Sequence, residues 1–170
     1  SYGAAHMSLV DFDSDGAMDV LTANGDNADY TPFAKHYHGV RVYLNDGENN
    51  FVEAVFYPLN GAYKALPVDF DADGDLDIAA ISFFPDYEKA PEESFVYLEN
   101  KGDMAFVAWT FLAATDARWL TMDAGDIDGD GDEDIVLGAF VRGASNVPPA
   151  LEKRWQREAT SILILRNKHF

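Results

Sequence analysis

Residues 69–77 of the chain read Asp-Phe-Asp-Ala-Asp-Gly-Asp-Leu-Asp, and two further copies of this stretch occur with small changes. Residues 11–19 read Asp-Phe-Asp-Ser-Asp-Gly-Ala-Met-Asp, and residues 126–134 read Asp-Ile-Asp-Gly-Asp-Gly-Asp-Glu-Asp. The copies start 58 and 57 residues apart. A repeat at a fixed period of this size indicates an architecture in which each unit is one supersecondary element that buries its apolar faces against its neighbours.

The acidic residues are concentrated in these three loops. The 170-residue chain has 30 Asp and Glu residues against 12 Lys and Arg, a formal net charge of −18, and half of the acids fall in the three copies. Carboxylates this close together repel one another unless a cation neutralises them. The charge pattern therefore predicts bound metal. It argues against nucleic acid or an anionic membrane surface as a partner, because phosphate binding needs clustered Lys and Arg.

The spacing within each copy suits the coordination chemistry of calcium, which takes about 6–8 oxygen ligands. Asp at positions 1, 3 and 5 places three carboxylates inside a curled loop, and glycine at position 6 allows the sharp turn. Position 7 then offers a backbone carbonyl, and position 9 a fourth carboxylate. Zinc would require His or Cys, and an EF-hand would require Glu at position 12, where Thr22, Ala80 and Leu137 stand. We therefore predict three calcium ions. The predicted ligand residues are Asp11, Asp13, Asp15, Ala17 and Asp19; Asp69, Asp71, Asp73, Asp75 and Asp77; and Asp126, Asp128, Asp130, Asp132 and Asp134.

Short apolar segments flank every loop and predict β-strands. One lies before each loop, one after it, and a third follows a variable insertion; these segments are residues 7–10, 65–68 and 119–122, then 20–22, 78–81 and 135–137, then 40–44, 95–98 and 162–165. The third segment ends in Asn45-Asp46-Gly47 or Asn100-Lys101-Gly102, where Asn and Gly supply the positive φ of a tight turn. A fourth segment follows at residues 51–57 and 106–112. Trp109 and Trp119, in or beside these strands, are expected in the core.

Each unit is thus predicted to be a four-stranded antiparallel sheet, similar to one blade of a β-propeller. The prediction is an all-β propeller segment with blades at residues 1–57, 58–112 and 113–170, the last lacking its fourth strand. Propellers usually close with about 4–8 blades. We therefore expect the chain to be a piece of a larger propeller, with the other blades supplied by the same or another chain.

The motif Asp-x-Asp-x-Asp-Gly-x-x-Asp between two strands resembles the calcium loop of FG-GAP/VCBS repeats, the blades of integrin-alpha-like β-propellers. The resemblance implies that the loop joins the first two strands of each blade and binds calcium through side chains at positions 1, 3, 5 and 9 and the carbonyl at position 7. The blade number differs, since the family usually has about seven. The resemblance also implies an extracellular, cell-surface or periplasmic location, where calcium modules bind at about 10⁻⁴–10⁻³ M.

Long insertions between the second and third strands predict a ligand face. In an up-and-down blade they lie at the end opposite the calcium loops, and loops on a rigid scaffold are common binding positions. The candidate ligand face consists of Tyr30, Phe33, His36, Tyr37, His38, Phe84, Tyr87 and Trp155. The alternative is that these side chains cap the apolar interfaces between blades.

Composition and motifs predict a binding module rather than an enzyme. The chain has no cysteine, no Gly-x-Ser-x-Gly elbow and no phosphate-binding glycine loop. Its apolar runs are shorter than the roughly 20 residues of a membrane-spanning helix. We expect calcium-stabilised blades that bind a protein partner, in adhesion or in a larger complex. A lectin-like module that stacks sugars on the insertion aromatics is the alternative, and a propeller-based enzyme is less favoured.

Overall fold

The computed structural model describes residues 3–26, 35–141 and 147–168, and these residues form eleven β-strands, one α-helix and a short 3₁₀ helix at Pro91–Ser94. The strands are β1 (Ala4–Val10), β2 (Asp19–Asn24), β3 (Gly39–Asn45), β4 (Phe51–Pro58), β5 (Ala62–Val68), β6 (Asp77–Ser82), β7 (Phe95–Asn100), β8 (Phe106–Trp109), β9 (Trp119–Gly125), β10 (Asp134–Ala139) and β11 (Ile162–Leu165). The helix α1 spans Pro149–Glu158.

The strands form three antiparallel sheets in chain order. The first sheet has the order β1-β2-β3-β4, the second β5-β6-β7-β8 and the third β9-β10-β11. Every pairing joins neighbours in sequence. This up-and-down arrangement confirms the predicted all-β propeller segment. It also puts the loops between first and second strands at one end of each sheet and the insertions between second and third strands at the other.

The apolar residues of consecutive sheets pack against one another in two cores. The first core lies between the first and second sheets and includes Phe12, Leu21, Val40, Val42, Ala65, Ile78 and Leu98. The second lies between the second and third sheets and includes Phe70, Ile81, Phe95, Trp119, Met122, Ile135 and Leu137. The second strand of the middle sheet, β6, is buried along its whole length. It is therefore apolar on both faces instead of alternating, as expected for a strand covered on both sides.

The Asn-x-Gly turns adopt the predicted conformation. Gly47 and Gly102 have φ of 81° and 88°, in the left-handed region that glycine enters without strain. The Asn45 side-chain oxygen accepts a hydrogen bond from the Gly47 amide at 3.2 Å, and Asn100 accepts one from Gly102 at 3.1 Å. These bonds close each turn with side-chain groups, as in an Asx-turn.

The third insertion differs from the loop predicted there because it contains α1. Pro149 occupies the first helical turn, where its missing N–H costs nothing, and the helix ends at Ala159 with φ of 51°. Its residues are mostly strong helix formers such as Ala, Leu, Glu, Lys and Arg. Among the described residues, no helix is both long enough and apolar enough to cross a membrane.

One core prediction is right and the other is wrong. Trp119 is completely buried, and its indole N–H donates to the Ala114 carbonyl at 2.7 Å. Trp109 is 55% exposed, although it ends a strand in the middle sheet. That strand, β8, stops at Trp109, earlier than the predicted residue 112, and Leu112 is fully exposed.

Candidate metal centres

The three acidic loops connect the first and second strands of the three sheets. Position 1 of each loop follows β1, β5 or β9, and position 9 is the first residue of β2, β6 or β10. The motif therefore spans the tight connection at one end of each sheet. Because all three loops occur at the same point in the repeat, they all lie at the same end of their sheets.

The position-1 carboxylate holds each loop in its curled shape. Asp11 accepts hydrogen bonds from the amides of Asp15 and Gly16, both at 3.0 Å. Asp69 accepts the equivalent pair from positions 5 and 6 at 3.1 and 3.0 Å. Asp126 accepts from positions 4 and 6 at 2.6 and 3.1 Å. In each loop, the position-1 carboxylate thus accepts hydrogen bonds from two backbone amides of the same loop.

Two left-handed residues produce the curl. At position 6, Gly16, Gly74 and Gly131 have φ of 93°, 100° and 100°. A Cβ at any of these three would meet no atom within 4 Å. The glycine is therefore required by backbone conformation rather than by lack of space. Position 4 is also left-handed, and it is a glycine only in the third loop.

Carboxylates converge in each loop. Three of them in each loop offer oxygens that all lie within 4.8 Å of one another; the groups are Asp11, Asp13 and Asp15; Asp69, Asp71 and Asp77; and Asp126, Asp128 and Asp130. Positions 1 and 3 belong to all three groups, position 5 to two of them and position 9 only to the second. The structure thus brings most, but not all, of the predicted side chains of each loop into one group.

These groups are electrostatically suited to a cation. Burial and the neighbouring charge of Asp15 raise the pKa of Asp13 above its ordinary value. Burial, together with Asp77 and Asp73, raises the pKa of Asp71 in the same way. The Oδ1 atom of Asp71 is buried and has no hydrogen-bond partner. An oxygen buried without a donor is costly, and a hard cation with oxygen ligands would supply the missing partner.

The position-9 aspartates are completely buried and bind protein donors on both oxygens. Asp77 Oδ2 accepts from the Phe70 amide at 3.0 Å and from the Tyr97 hydroxyl at 2.7 Å, and its Oδ1 accepts from the Asn100 amide at 2.8 Å. Burial raises the pKa of Asp77, and the hydrogen bonds oppose that rise. Burial and the bond to Asp77 also raise the pKa of the Tyr97 hydroxyl.

The same connection recurs in the other two sheets. Asp19 accepts from the Phe12 amide at 2.7 Å and from the Asn45 amide at 2.8 Å. Asp134 accepts from the Ile127 amide at 3.2 Å and from the Asn167 amide at 2.8 Å. Each position-9 carboxylate thus ties its own loop to the end of the third strand. The donors at the third strand are backbone amides, so the identity of the residue there does not by itself signal this link.

The part of the chain that contains the three acidic loops matches a known protein family. Residues 11–80 and residues 69–137 each match the FG-GAP-like repeat. The chain belongs to the FG-GAP-like repeat family. Each match begins at position 1 of one acidic loop, runs through the following acidic loop and ends in the strand directly after it. The family pattern therefore extends over two consecutive sheets. No curated protein matches the chain.

At the opposite end of this FG-GAP-like chain, the first insertion supplies packing residues. His38 is 3% exposed, and its Nδ1 lies 3.1 Å from both the Gly61 amide and the Asn60 side-chain oxygen. The Tyr37 hydroxyl donates to Asp26, which also pairs with Lys35 at 2.9 Å. His36 is exposed and packs edge-on against Tyr37. Tyr30 and Phe33 lie outside the described residues.

Three of the predicted ligand-face aromatic residues, in the second and third insertions, are buried. Phe84, Tyr87 and Trp155 are 5%, 6% and 1% exposed, and the rings of Tyr87 and Trp155 meet edge-on at 5.6 Å. The buried Arg118 guanidinium lies over Trp155 and over Phe83, 4.8 Å from the Phe83 centroid. For these three aromatic residues, burial favours the alternative of interface packing. The ligand-face assignment stays a prediction for the exposed members of the set.

Proposed function

We propose that the chain is a calcium-stabilised propeller module that binds a protein partner, in adhesion or as a subunit of a larger complex. The observation that carries the proposal is the convergence of carboxylates in three equivalent loops, with a buried Asp71 oxygen that has no hydrogen-bond partner. One calcium ion per loop would offset the repulsion among these groups. Three ions would reduce the formal charge of −18 to about −12.

The side chains at positions 1, 3, 5 and 9 and the carbonyl at position 7 would hold each ion. Calcium supplies charge neutralisation there, and its binding free energy becomes folding free energy, because the ligand set is assembled only in the folded loop. The blades would be residues 1–57, 58–112 and 113–170, each stabilised by its own ion. Calcium is favoured over magnesium because magnesium demands strict octahedral geometry and retains its waters.

An extracellular, cell-surface or periplasmic location fits this proposal. Calcium modules of such compartments bind at about 10⁻⁴–10⁻³ M, a concentration that cytosolic calcium does not reach. Membership of a repeat family supports interaction rather than catalysis as the role. The carbohydrate-binding alternative depends on exposed aromatic residues in the insertions, and it is weakened because Phe84, Tyr87 and Trp155 are buried.

Calorimetric titration of the chain with calcium tests the proposal. We expect three binding events for the native chain and two for the Asp71→Ala variant. The matched control is Asp75→Ala, which keeps the backbone carbonyl of position 7 and should still bind three ions. Chelation should lower the melting temperature of the native chain. The proposal is wrong if the native chain binds no calcium, or if chelation leaves its melting temperature unchanged.

A further inference from the structure

The third acidic loop differs from the other two because one of its carboxylates is paired with an arginine. The Arg166 Nη1 atom donates a hydrogen bond to the Asp128 Oδ2 atom at 3.1 Å. Asp128 holds position 3 of its loop, and its carboxylate is one of the three that converge there. In the part of the chain that the structure describes, no Lys or Arg side chain pairs with a carboxylate of the first or second loop.

The place that Arg166 holds in the repeat carries a different charge in each sheet. Arg166 directly precedes Asn167, whose amide donates to the position-9 carboxylate of the third loop. Leu44 and Glu99 hold the same place in the first and second sheets, each directly before the amide that donates to its own position-9 carboxylate. The residue at this place is therefore neutral in the first sheet, negative in the second and positive in the third.

The first and second sheets bring no net positive charge to their loops from this place. Leu44 is apolar and packs on the first core. Glu99 accepts hydrogen bonds from the Lys101 ammonium group and from the Trp109 indole N–H, the latter at 2.7 Å. The charges of Glu99 and Lys101 cancel, so this pair leaves the net charge beside the second loop unchanged.

Arg166 is a cation that the third loop holds without any metal. Its guanidinium carries one positive charge, and it donates hydrogen bonds but has no lone pair with which to bind a metal. A calcium ion, with two positive charges and a need for oxygen ligands, would use the same carboxylate of Asp128. Two cations beside one carboxylate repel each other. Calcium would therefore bind the third loop against the charge of Arg166 and in competition with its hydrogen bond.

The acidic content of the loops shows what this competition offsets. Six of the nine residues of the third loop are acidic, against five in the second and four in the first. Since the number of ligand charges is one determinant of calcium affinity, carboxylate content alone would make the third loop the tightest site. The pair is also open to exchange, because the Arg166 side chain is 59% exposed. An exposed ion pair changes an equilibrium constant by a factor of about 1.4–5, and repulsion between the two cations adds to this factor.

We propose that Arg166 is an internal competitor of calcium that lowers the affinity of the third loop. At low calcium concentration it neutralises part of the carboxylate cluster, and at high concentration it gives way to the ion. This inference rests on the proposed calcium binding and deepens it, because it assigns a residue that sets the concentration at which one of the three loops fills.

The test follows calcium binding in each loop separately. Gly16, Gly74 and Gly131 each donate their amide to the position-1 carboxylate of their own loop. Their signals in two-dimensional proton–nitrogen NMR spectra of the full chain therefore report on the three loops one by one. In Arg166→Gln, the calcium concentration at the midpoint of the Gly131 shift should fall about three- to tenfold. The midpoints for Gly16 and Gly74 should stay unchanged, because the contact that is removed belongs to the third loop.

Two further variants control for the charge and for its place. Arg166→Lys keeps the positive charge beside Asp128, and it should keep the native Gly131 midpoint within about twofold. Arg157→Gln removes the same charge from α1, at the insertion end of the third sheet, where the Arg157 side chain is 74% exposed and pairs with Glu158. This variant should leave all three midpoints unchanged.

Thermal unfolding gives a second measurement. Because a ligand stabilises the folded state more when it binds more tightly, calcium should raise the melting temperature of Arg166→Gln by more than that of the native chain. The inference is overturned if Arg166→Gln leaves the Gly131 midpoint at its native value, or if Arg157→Gln lowers that midpoint by the same factor. If calcium shifts none of the three glycine signals, the proposed calcium binding is wrong as well. Signals that shift with calcium at midpoints independent of Arg166 would remove this inference alone.

Discussion

The position-9 aspartate is predicted to stabilise the fold even without metal. Asp77→Ala removes the acceptor of three hydrogen bonds, from the amides of Phe70 and Asn100 and from the Tyr97 hydroxyl. Each buried donor left unsatisfied costs about 1–3 kcal/mol. Water entering the vacated space and rotation of the hydroxyl recover part of this loss. We expect the free energy of unfolding to fall by about 3–5 kcal/mol, a large fraction of the stability of a typical domain.

The assay is urea unfolding followed by far-ultraviolet circular dichroism, in excess calcium and again in excess chelator. A loss of this size corresponds to a midpoint lower by about 2 M urea. The matched variant is Asp71→Ala, whose side chain has an oxygen with no protein donor. It should destabilise the chain in calcium but not in chelator. Asp77→Ala should destabilise it in both conditions.

Unfolding of the two variants with and without calcium distinguishes two roles of Asp77, as a hydrogen-bond acceptor within the protein and as a metal ligand. If Asp77→Ala were neutral in chelator, the three hydrogen bonds would contribute nothing, and the residue would act only as a metal ligand. Should the alanine variant fail to fold, Asp77→Asn keeps the size of the side chain and one acceptor oxygen. It should lose about 1–3 kcal/mol in chelator, because the amide group must face at least one donor.

Two pairs of substitutions test the loop conformation and the packing. Ala72 and Gly129 hold position 4 of their loops with φ of 56° and 82°. A left-handed conformation is strained for any residue with a Cβ. Ala72→Gly should therefore raise the free energy of unfolding by about 0.5–1 kcal/mol, and Gly129→Ala should lower it by about 1 kcal/mol. Urea unfolding measures both, and equal signs would contradict the argument. Trp119→Ala should cost about 3–5 kcal/mol, whereas Trp109→Ala should stay within about 0.5 kcal/mol, as expected for a buried and an exposed ring. Calorimetric melting checks this pair, and a similar loss of stability in both variants would contradict it.

The strands and loops could be predicted because their signals are local and repeated. The Asp and Gly residues of each loop lie within nine positions of one another, and each apolar segment is bounded by turn residues. Three copies in register then fix which strand follows which. The strand bounds in the structure extend the predicted segments by a few residues in most places; β11 has the predicted bounds, and β8 ends earlier than predicted.

Features that depend on distant residues were not visible in the pattern. The Asn100 amide donates a hydrogen bond to Asp77, which lies 23 positions earlier in the chain. The two groups are brought together only in the folded sheet. Trp109 is an aromatic residue in an apolar segment, but only the folded structure shows that its ring is 55% exposed. His38 stands among aromatic residues typical of a binding loop, yet its ring is buried against Gly61. Side chains of this kind need the tertiary structure before their role can be assigned.

The two apolar cores lie between sheets rather than within them, which determines how such a chain can be lengthened or shortened. A sheet cut out at its own boundaries would leave half of a core on each side, without the partner that completes it. Residues 11–68, from one acidic loop to the next, hold only part of the first core, because Ile78, Ala80, Val96 and Leu98 of the second sheet complete it. A shortened chain must therefore keep two consecutive sheets together to retain one complete core. Each family match, over residues 11–80 or 69–137, likewise extends from one sheet into the next.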